Sequence, residues 1–304
     1  MAGYAQNYAQ EFATEPYSDY GGAPFYSKKI RREPNTVMFF TAVVVPWLFF
    51  VIPLSVTVLA SYSSPSGVLL FDLVIVLAVL FVGNSALKAY RDPWSSQDPG
   101  WLAYLFLICF VAASAGMYLG RVNYVVNARP YWDVHSLNFY HSVDPSTYRG
   151  NQLMDSGKIE FTQDAYIDTT RTMGFTNNDI YCVAPITSPS RTDNTYDFWA
   201  VGINCCPGAT TQDFRCGEYS NTEAHSGLRL MREADRAYYR LAVQQAEVSY
   251  HIQANHPLFF VWLKEPDTEL EAYLTDAFRY TMAGVVVSLV ATFLGAVGAA
   301  VALR

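Results

Sequence analysis

Hydrophobic and polar positions along this chain fall into blocks before they fall into periods. Four blocks, Met38–Tyr62, Gly67–Leu87, Trp101–Gly120 and Tyr280–Leu303, are apolar almost throughout, and Asp72 is the one charged residue inside them. An α-helix needs about 20 apolar residues to cross roughly 30 Å of hydrocarbon. Each block meets that length. In lipid a spanning segment must satisfy its own backbone hydrogen bonds, so the pattern predicts four transmembrane helices. Residues 1–37 are polar and carry Tyr4, Tyr8, Tyr17, Tyr20 and Tyr26 among small residues, which reads as a flexible tail. With no cleavable leader before it, the first span is expected to act as its own signal.

The stretch 121–279, between the third and fourth blocks, has a different texture. Short β-like runs at Lys158–Thr162, Ala165–Phe175, Ile180–Thr187 and Tyr196–Cys205 alternate with turn-rich segments, so 131–216 reads as β-rich. The part 219–279 reads as helical. From Ser226 to His251 there is no proline, and Leu230, Ala234, Ala237, Leu241, Val248 and Ile252 recur at near-heptad spacing. Leu258–Leu263 is apolar but too short to span, and reads as a buried strand, with a patch lying on the bilayer surface as the alternative. Thr268 with Glu271 fits a capping box, from which one helix is expected to run unbroken to Leu303. The expected fold class is an α-helical membrane protein. It has four transmembrane helices (38–120 for the first three, 280–304 for the last) and a disulfide-stapled α+β extracytoplasmic domain inserted between helices 3 and 4.

Charge supplies the orientation. Only 15% of the chain is charged, against roughly 25% in an average soluble domain. Lys28, Lys29, Arg31 and Arg32 precede the first span, Lys88 and Arg91 follow the second, and Arg304 follows the fourth. Both termini are therefore expected in the cytosol and the large loop outside or in a lumen, of the plasma membrane or an endomembrane. Arg121 and Arg279 stand on the opposite side of that assignment. The formal net charge of −7 comes entirely from 121–279. An acidic domain of this kind speaks against nucleic acid as a partner.

Four of the five cysteines, Cys182, Cys205, Cys206 and Cys216, lie in the large loop. In an oxidising compartment they suggest two disulfides. A bridge between adjacent residues is strained, so Cys182 is expected to pair with one of Cys205 and Cys206, and Cys216 with the other. No C-x-x-C spacing is present and no histidine lies close to the pair, so no metal is expected there. Cys109, inside the third span, reads as a small core residue.

Inside the spans, Asp72, near the outer interface, and Asn84, near the inner end, are the candidate polar sites. Such groups in lipid are functional candidates. An acid so near the interface can also reach headgroup water, and a structural or hydrated role is the first expectation for Asp72, ahead of a gating, proton or ion role. Ala112, Gly116 and Gly120 on span three, and Gly284, Ser288 and Gly295 on span four, form small-residue faces that permit close helix approach. No nucleophile motif, zinc-protease motif or phosphate loop occurs, so no catalytic residue and no cofactor are assigned.

Four spans with both ends inside, a short first outer loop, a long second one and the Cys205-Cys206 pair within it resemble the tetraspanin architecture. The family's Cys-Cys-Gly becomes Cys-Cys-Pro-Gly here, through Pro207. The resemblance implies an organiser, without enzymatic activity, that gathers other membrane proteins laterally. The sequence thus points to an integral membrane scaffold or a structural subunit of a membrane complex. Its expected partners are lipid and other membrane proteins, a second copy included. A channel or transporter component using Asp72, or a membrane-anchored ectodomain enzyme, are the alternative readings.

Overall fold

The computed structural model describes residues 36–91, 99–208 and 213–302. The tail expected over 1–37 lies outside the described residues except for Thr36 and Val37, which open the first helix; Lys28, Lys29, Arg31, Arg32 and Arg304 also lie outside them. Helix α1 covers Thr36–Ala60, α2 Pro65–Arg91 and α3 Pro99–Asn123. A wider π turn, Tyr124–Ala128, joins α3 to α4 (Arg129–His135), so the rod continues well past the apolar block. The last helix, named α6 below, covers Pro266–Ala302. These four rods are long and apolar enough to cross a membrane, and the chain is a multi-pass integral membrane protein.

Between α4 and α6 the chain forms a mixed sheet of eight strands: β1 Asn138–Val143, β2 Ser156–Phe161, β3 Tyr166–Ile167, β4 Met173–Asn177, β5 Asp179–Thr187, β6 Phe198–Ile203, β7 Ser226–Arg229 and β8 Leu258–Leu263. The order is β1-β2-β7-β8-β6-β5-β3, with β4 also on β5. Only the β1–β2 and β6–β8 pairs are parallel. Helix α5, Glu233–Tyr250, supplies the crossover that brings β8 back beside β6.

Strand alternation sends side chains to two cores. Tyr181, Val183, Trp199, Val201 and Phe259 meet Tyr239, Ala242, Val243 and Ala246 of α5 on one face. Cys182, Ala184, Phe198, Ala200, Phe260 and Trp262 point to the other face, where Phe161, Phe214, Ala224 and the disulfides cover them. The central strands β5, β6 and β8 are buried on both faces, and they read as continuous apolar runs rather than as alternation.

Strand β1 and helix α4 have no counterpart in the sequence reading, and the structure departs from that reading at three further places. The helix expected from Ser226 begins at Glu233, because Ser226–Arg229 is strand β7, inserted between β2 and β8. A Cβ on Gly227 would lie 2.9 Å from Phe260 Cβ, so glycine is what lets the Phe260 ring lie across the neighbouring strand. The part 219–279 therefore holds two strands as well as helix. The single run Ala165–Phe175 is broken by a tight turn over Thr169–Arg171, capped by Asp168, which accepts from Thr170 N at 3.0 Å. Finally, α6 starts at Pro266, upstream of the expected Thr268 cap. Proline suits the first helical turn, where its missing N–H costs nothing, and the Thr268 hydroxyl donates to Glu265 at 3.3 Å.

Candidate functional site: seams joining the spans and the sheet domain

Helix α1 is the centre of the membrane part, with α3 and α6 packed on it. The small residues make this possible. A Cβ on Gly116 would stand 2.4 Å from the Phe50 carbonyl oxygen, and one on Gly120 3.1 Å from Leu54 Cα and O. Ala112 packs with Phe50 and Leu54 in the same seam. On the other flank, a Cβ on Gly284 would meet Leu54 Cδ2 at 3.2 Å and Phe50 Cε1 at 3.5 Å. The Trp47 indole N–H donates to the Val285 carbonyl at 3.1 Å, and the Ser288 hydroxyl donates to the same carbonyl at 3.0 Å. At Gly295 a Cβ would approach the Tyr104 hydroxyl at 3.0 Å. These faces are used inside the chain, and Ala112, Gly116, Gly120, Gly284, Ser288 and Gly295 all serve internal packing.

Asp72 and Asn84 both lie on α2, the least covered of the four rods. Asp72 is half-buried, and its Oδ1 is enclosed with no hydrogen-bond partner among the described residues. Asn84 is exposed on the outer face.

At the membrane exit of α3 and α6 sits a polar knot that sequence reasoning missed. Asn123, 1% exposed, donates through Nδ2 to the Ala277 carbonyl and to Thr281 Oγ1, each at 3.0 Å. Its Oδ1 accepts from Asn127 Nδ2 at 2.8 Å, and Thr281 Oγ1 donates back to the Ala277 carbonyl at 2.9 Å. Every polar atom of the Asn123 side chain has a partner, as a buried amide requires. Around the knot Val58, Tyr124, Ala128 and Ala277 close a small apolar cluster. Above it Val134, Leu228, Leu263 and Leu270 join the sheet to α4 and α6. Tyr62 stacks on Trp132 at 5.7 Å, an aromatic pair of the kind that marks a membrane–water boundary.

In the sheet domain the cysteines pair as Cys182–Cys206 and Cys205–Cys216, with Cα–Cα distances of 5.9 and 5.1 Å. The sulfurs of Cys182, Cys205 and Cys216 lie within 4.8 Å of one another, but both bridges consume them, so no thiolate is left to ligate a metal. Gly202 of β6 makes room: a Cβ there would be 2.6 Å from Cys205 Sγ. Cys109 is a buried free thiol.

A second polar cluster ties together the loops that follow β1 and β5. Asp144 accepts from Ser146 N, Ser146 Oγ and Ser188 Oγ, each at 2.8 Å, and from Thr147 Oγ1 at 3.0 Å. Burial pushes its carboxyl up, but these bonds from Ser146, Ser188 and Thr147 outweigh that and bring it to about 2. Nearby, the Arg191 guanidinium lies 4.4 Å from the Tyr196 ring and donates to Thr187 Oγ1 at 2.9 Å, to the Pro145 carbonyl and to Asp193. Asp197 accepts from Gly150 N at 2.9 Å and from His256 N at 3.0 Å. The sequence signal for this cluster, Ser/Thr/Asp-rich turns, is common to any loop. A recess of about 300 Å³ at the end of β3 is lined by Gln163, Asp164, Tyr166, Tyr219, His225 and Trp262. Its one imidazole is engaged, with His225 Nδ1 3.2 Å from the Ala165 carbonyl.

No family model, no curated protein and no solved structure matches the chain.

Proposed function

We propose that the chain is a membrane scaffold, or a structural subunit of a membrane complex, that holds its acidic ectodomain in a fixed pose above the bilayer for other proteins to bind. The observation that carries this reading is the coupling between spans and domain. The α3–α4 rod and α6 leave the apolar zone without a break, are locked by Asn123, and are packed against the sheet through Leu228 and Leu263. A domain meant to move freely would sit on a flexible linker. The charge asymmetry supports cytosolic termini and an extracytoplasmic domain, in the plasma membrane or an endomembrane. The tetraspanin resemblance, in span order and Cys205-Cys206, supports the same lateral role.

The channel reading keeps one observation, the enclosed and unpartnered Oδ1 of Asp72. The deciding experiment is purification from the native membrane in lipid nanodiscs, with mass spectrometry and mass photometry of the particle. Near-stoichiometric companions, the same in each preparation, are expected. A solitary chain that passes ions, and loses that flux in Asp72→Asn, overturns the scaffold reading in favour of the channel.

A further inference from the structure

The outer face of α2 carries a pattern that the internal packing leaves unused. Leu70, Leu73, Leu77, Leu80, Asn84 and Leu87 follow one another at intervals of three, four, three, four and three residues. That is an unbroken heptad seam, with apolar residues at both core positions and a single asparagine in one of them. At about 100° per residue these six side chains fall within roughly a quarter of the helix circumference. All of them are exposed: Leu73 is 54% and Leu80 56% accessible, while Val79, Gly83 and Ala86, centred roughly a third of a turn around the helix, are buried against the rest of the chain. Among the described residues, the Asn84 amide has no hydrogen-bond partner.

Lipid can cover the leucines at no cost, so their exposure alone requires nothing. Asn84 is different, because its amide, three residues inside the end of the apolar block, gains where water is scarce from a partner helix that can hydrogen-bond it. A foreign span would need its own polar group at the same depth and rotation. A second copy of this chain supplies one automatically. Two copies inserted the same way in one bilayer run α2 parallel, and a two-fold axis normal to the membrane puts Asn84 opposite Asn84. Each amide has both donors and an acceptor, so the pair is self-complementary. We infer that the chain forms a parallel homodimer through the α2 seam, with Asn84 paired to its counterpart and setting the register. This rests on the proposed lateral role and names one partner for it.

The test is cysteine cross-linking of the full chain in liposomes, joined to a dilution series read by fluorescence energy transfer. Leu80 and Phe81 are both exposed at the same depth but lie about 100° apart around the helix. Leu80→Cys is expected to form disulfide dimers at least five times faster than Phe81→Cys. The unsubstituted chain, whose one free thiol is enclosed, provides the blank. Asn84→Leu is expected to weaken dimerisation about threefold to thirtyfold, and Asn84→Gln, which keeps the amide, to restore most of it. A chain that stays monomeric at high protein-to-lipid ratio, equal cross-linking at Leu80→Cys and Phe81→Cys, or an Asn84→Leu variant that dimerises unchanged would each overturn the inference. If fixed companions persist in native nanodiscs while the chain itself is monomeric, the homodimer fails and the scaffold reading stands.

Discussion

Gly116 offers the sharpest test of the membrane packing, because three glycines on the spans form a graded series. Replacing Gly116 with alanine places a methyl 2.4 Å from the Phe50 carbonyl oxygen and 3.1 Å from Phe50 Cα. The obstacle is the backbone of α1, so no side-chain rotation relieves it. Ordinary contact requires α3 to back away from α1 by about 1 Å, and a gap of that size forfeits a quarter to half of the local dispersion energy. Overpacking of this kind costs about 1–3 kcal/mol. Alanine recovers up to about 1 kcal/mol through its better helix propensity, which leaves a net loss of up to about 2 kcal/mol. At Gly120 the nearest atoms are 3.1 Å away, so a few tenths of an ångström suffice and the expected change is near zero. At Gly298 nothing lies within 4 Å of the added methyl, and the propensity gain stands alone.

The predicted order of stability is therefore Gly298→Ala, then Gly120→Ala, then Gly116→Ala. Titration of mixed micelles with a denaturing detergent, followed by the fluorescence of Trp47 and Trp101, measures it. The reaction rate of Cys109 with a maleimide gives an independent readout. That thiol is fully enclosed in α3, two helical turns from Gly116 on the same side, and should react faster when the seam opens. If Gly116→Ala unfolds no earlier than Gly298→Ala and leaves Cys109 unreactive, the tight α1–α3 contact is not how the spans pack.

Two further predictions concern the sheet domain. Removing the bridges one at a time, both cysteines together, should cost about 3.4 kcal/mol for Cys182–Cys206 and about 2.8 kcal/mol for Cys205–Cys216 from the loop-closure relation, since the bridges span sequence separations of 24 and 11. Thermal unfolding of the two double variants in the same detergent should rank them in that order. Asp144, held at about 2 against an ordinary 3.8, stabilises the folded state when ionised. Its contribution is present above about pH 4 and is lost as pH falls towards 2, and after allowance for partial solvent screening it amounts to about 1–2 kcal/mol. Asp144→Asn should therefore lower the unfolding temperature at pH 6, and the gap from the unsubstituted chain should narrow at pH 2.5; an equal gap at both pH values would show that the charge is not what matters.

How much of this was legible beforehand depends on which physics set each feature. The spans were plain because lipid imposes a length and an apolar composition that no other environment demands at once. The two bridges were legible as a pair, but not their partners. Cys205 and Cys206 are adjacent, and spacing alone does not say which one faces Cys182. Strand β7 was hidden because Ser226–Arg229 joins a helical period on paper, while its state is decided by β2 and β8 and by the Phe260 ring lying over Gly227. The small-residue faces announced close contacts without saying with what; only the positions of Phe50 and Leu54 turned them inward. Asn84 could be seen as unusual, but its heptad partners gained meaning only once a different side of α2 proved to be the covered one.

The Asn123 knot also resolves a difficulty in the charge pattern. Arg121 and Arg279 lie at the loop ends of their helices, where the charge rule for orientation would not place them. Both flank the knot closely in sequence, Arg121 two residues before Asn123 and Arg279 two residues after Ala277. The Arg121 guanidinium lies 5.5 Å from the Tyr124 ring, and Arg279 pairs with Asp276 at 3.3 Å. An arginine at that level can extend its head to headgroup water while its stem covers apolar surface. Charges held locally in this way belong to the architecture of the helix exit. They weigh little in the asymmetry from which orientation is inferred, and that asymmetry then rests on Lys88 and Arg91 beside α2 and on the basic residues ahead of α1. The same exit carries the aromatic pair Tyr62–Trp132 and the start of the contact between α4 and the sheet. One short stretch of α3 and α6 thus ends the apolar span and joins it to the sheet domain. For that reason a change at Asn123 should be felt in how the sheet domain sits on the spans before it is felt in the sheet.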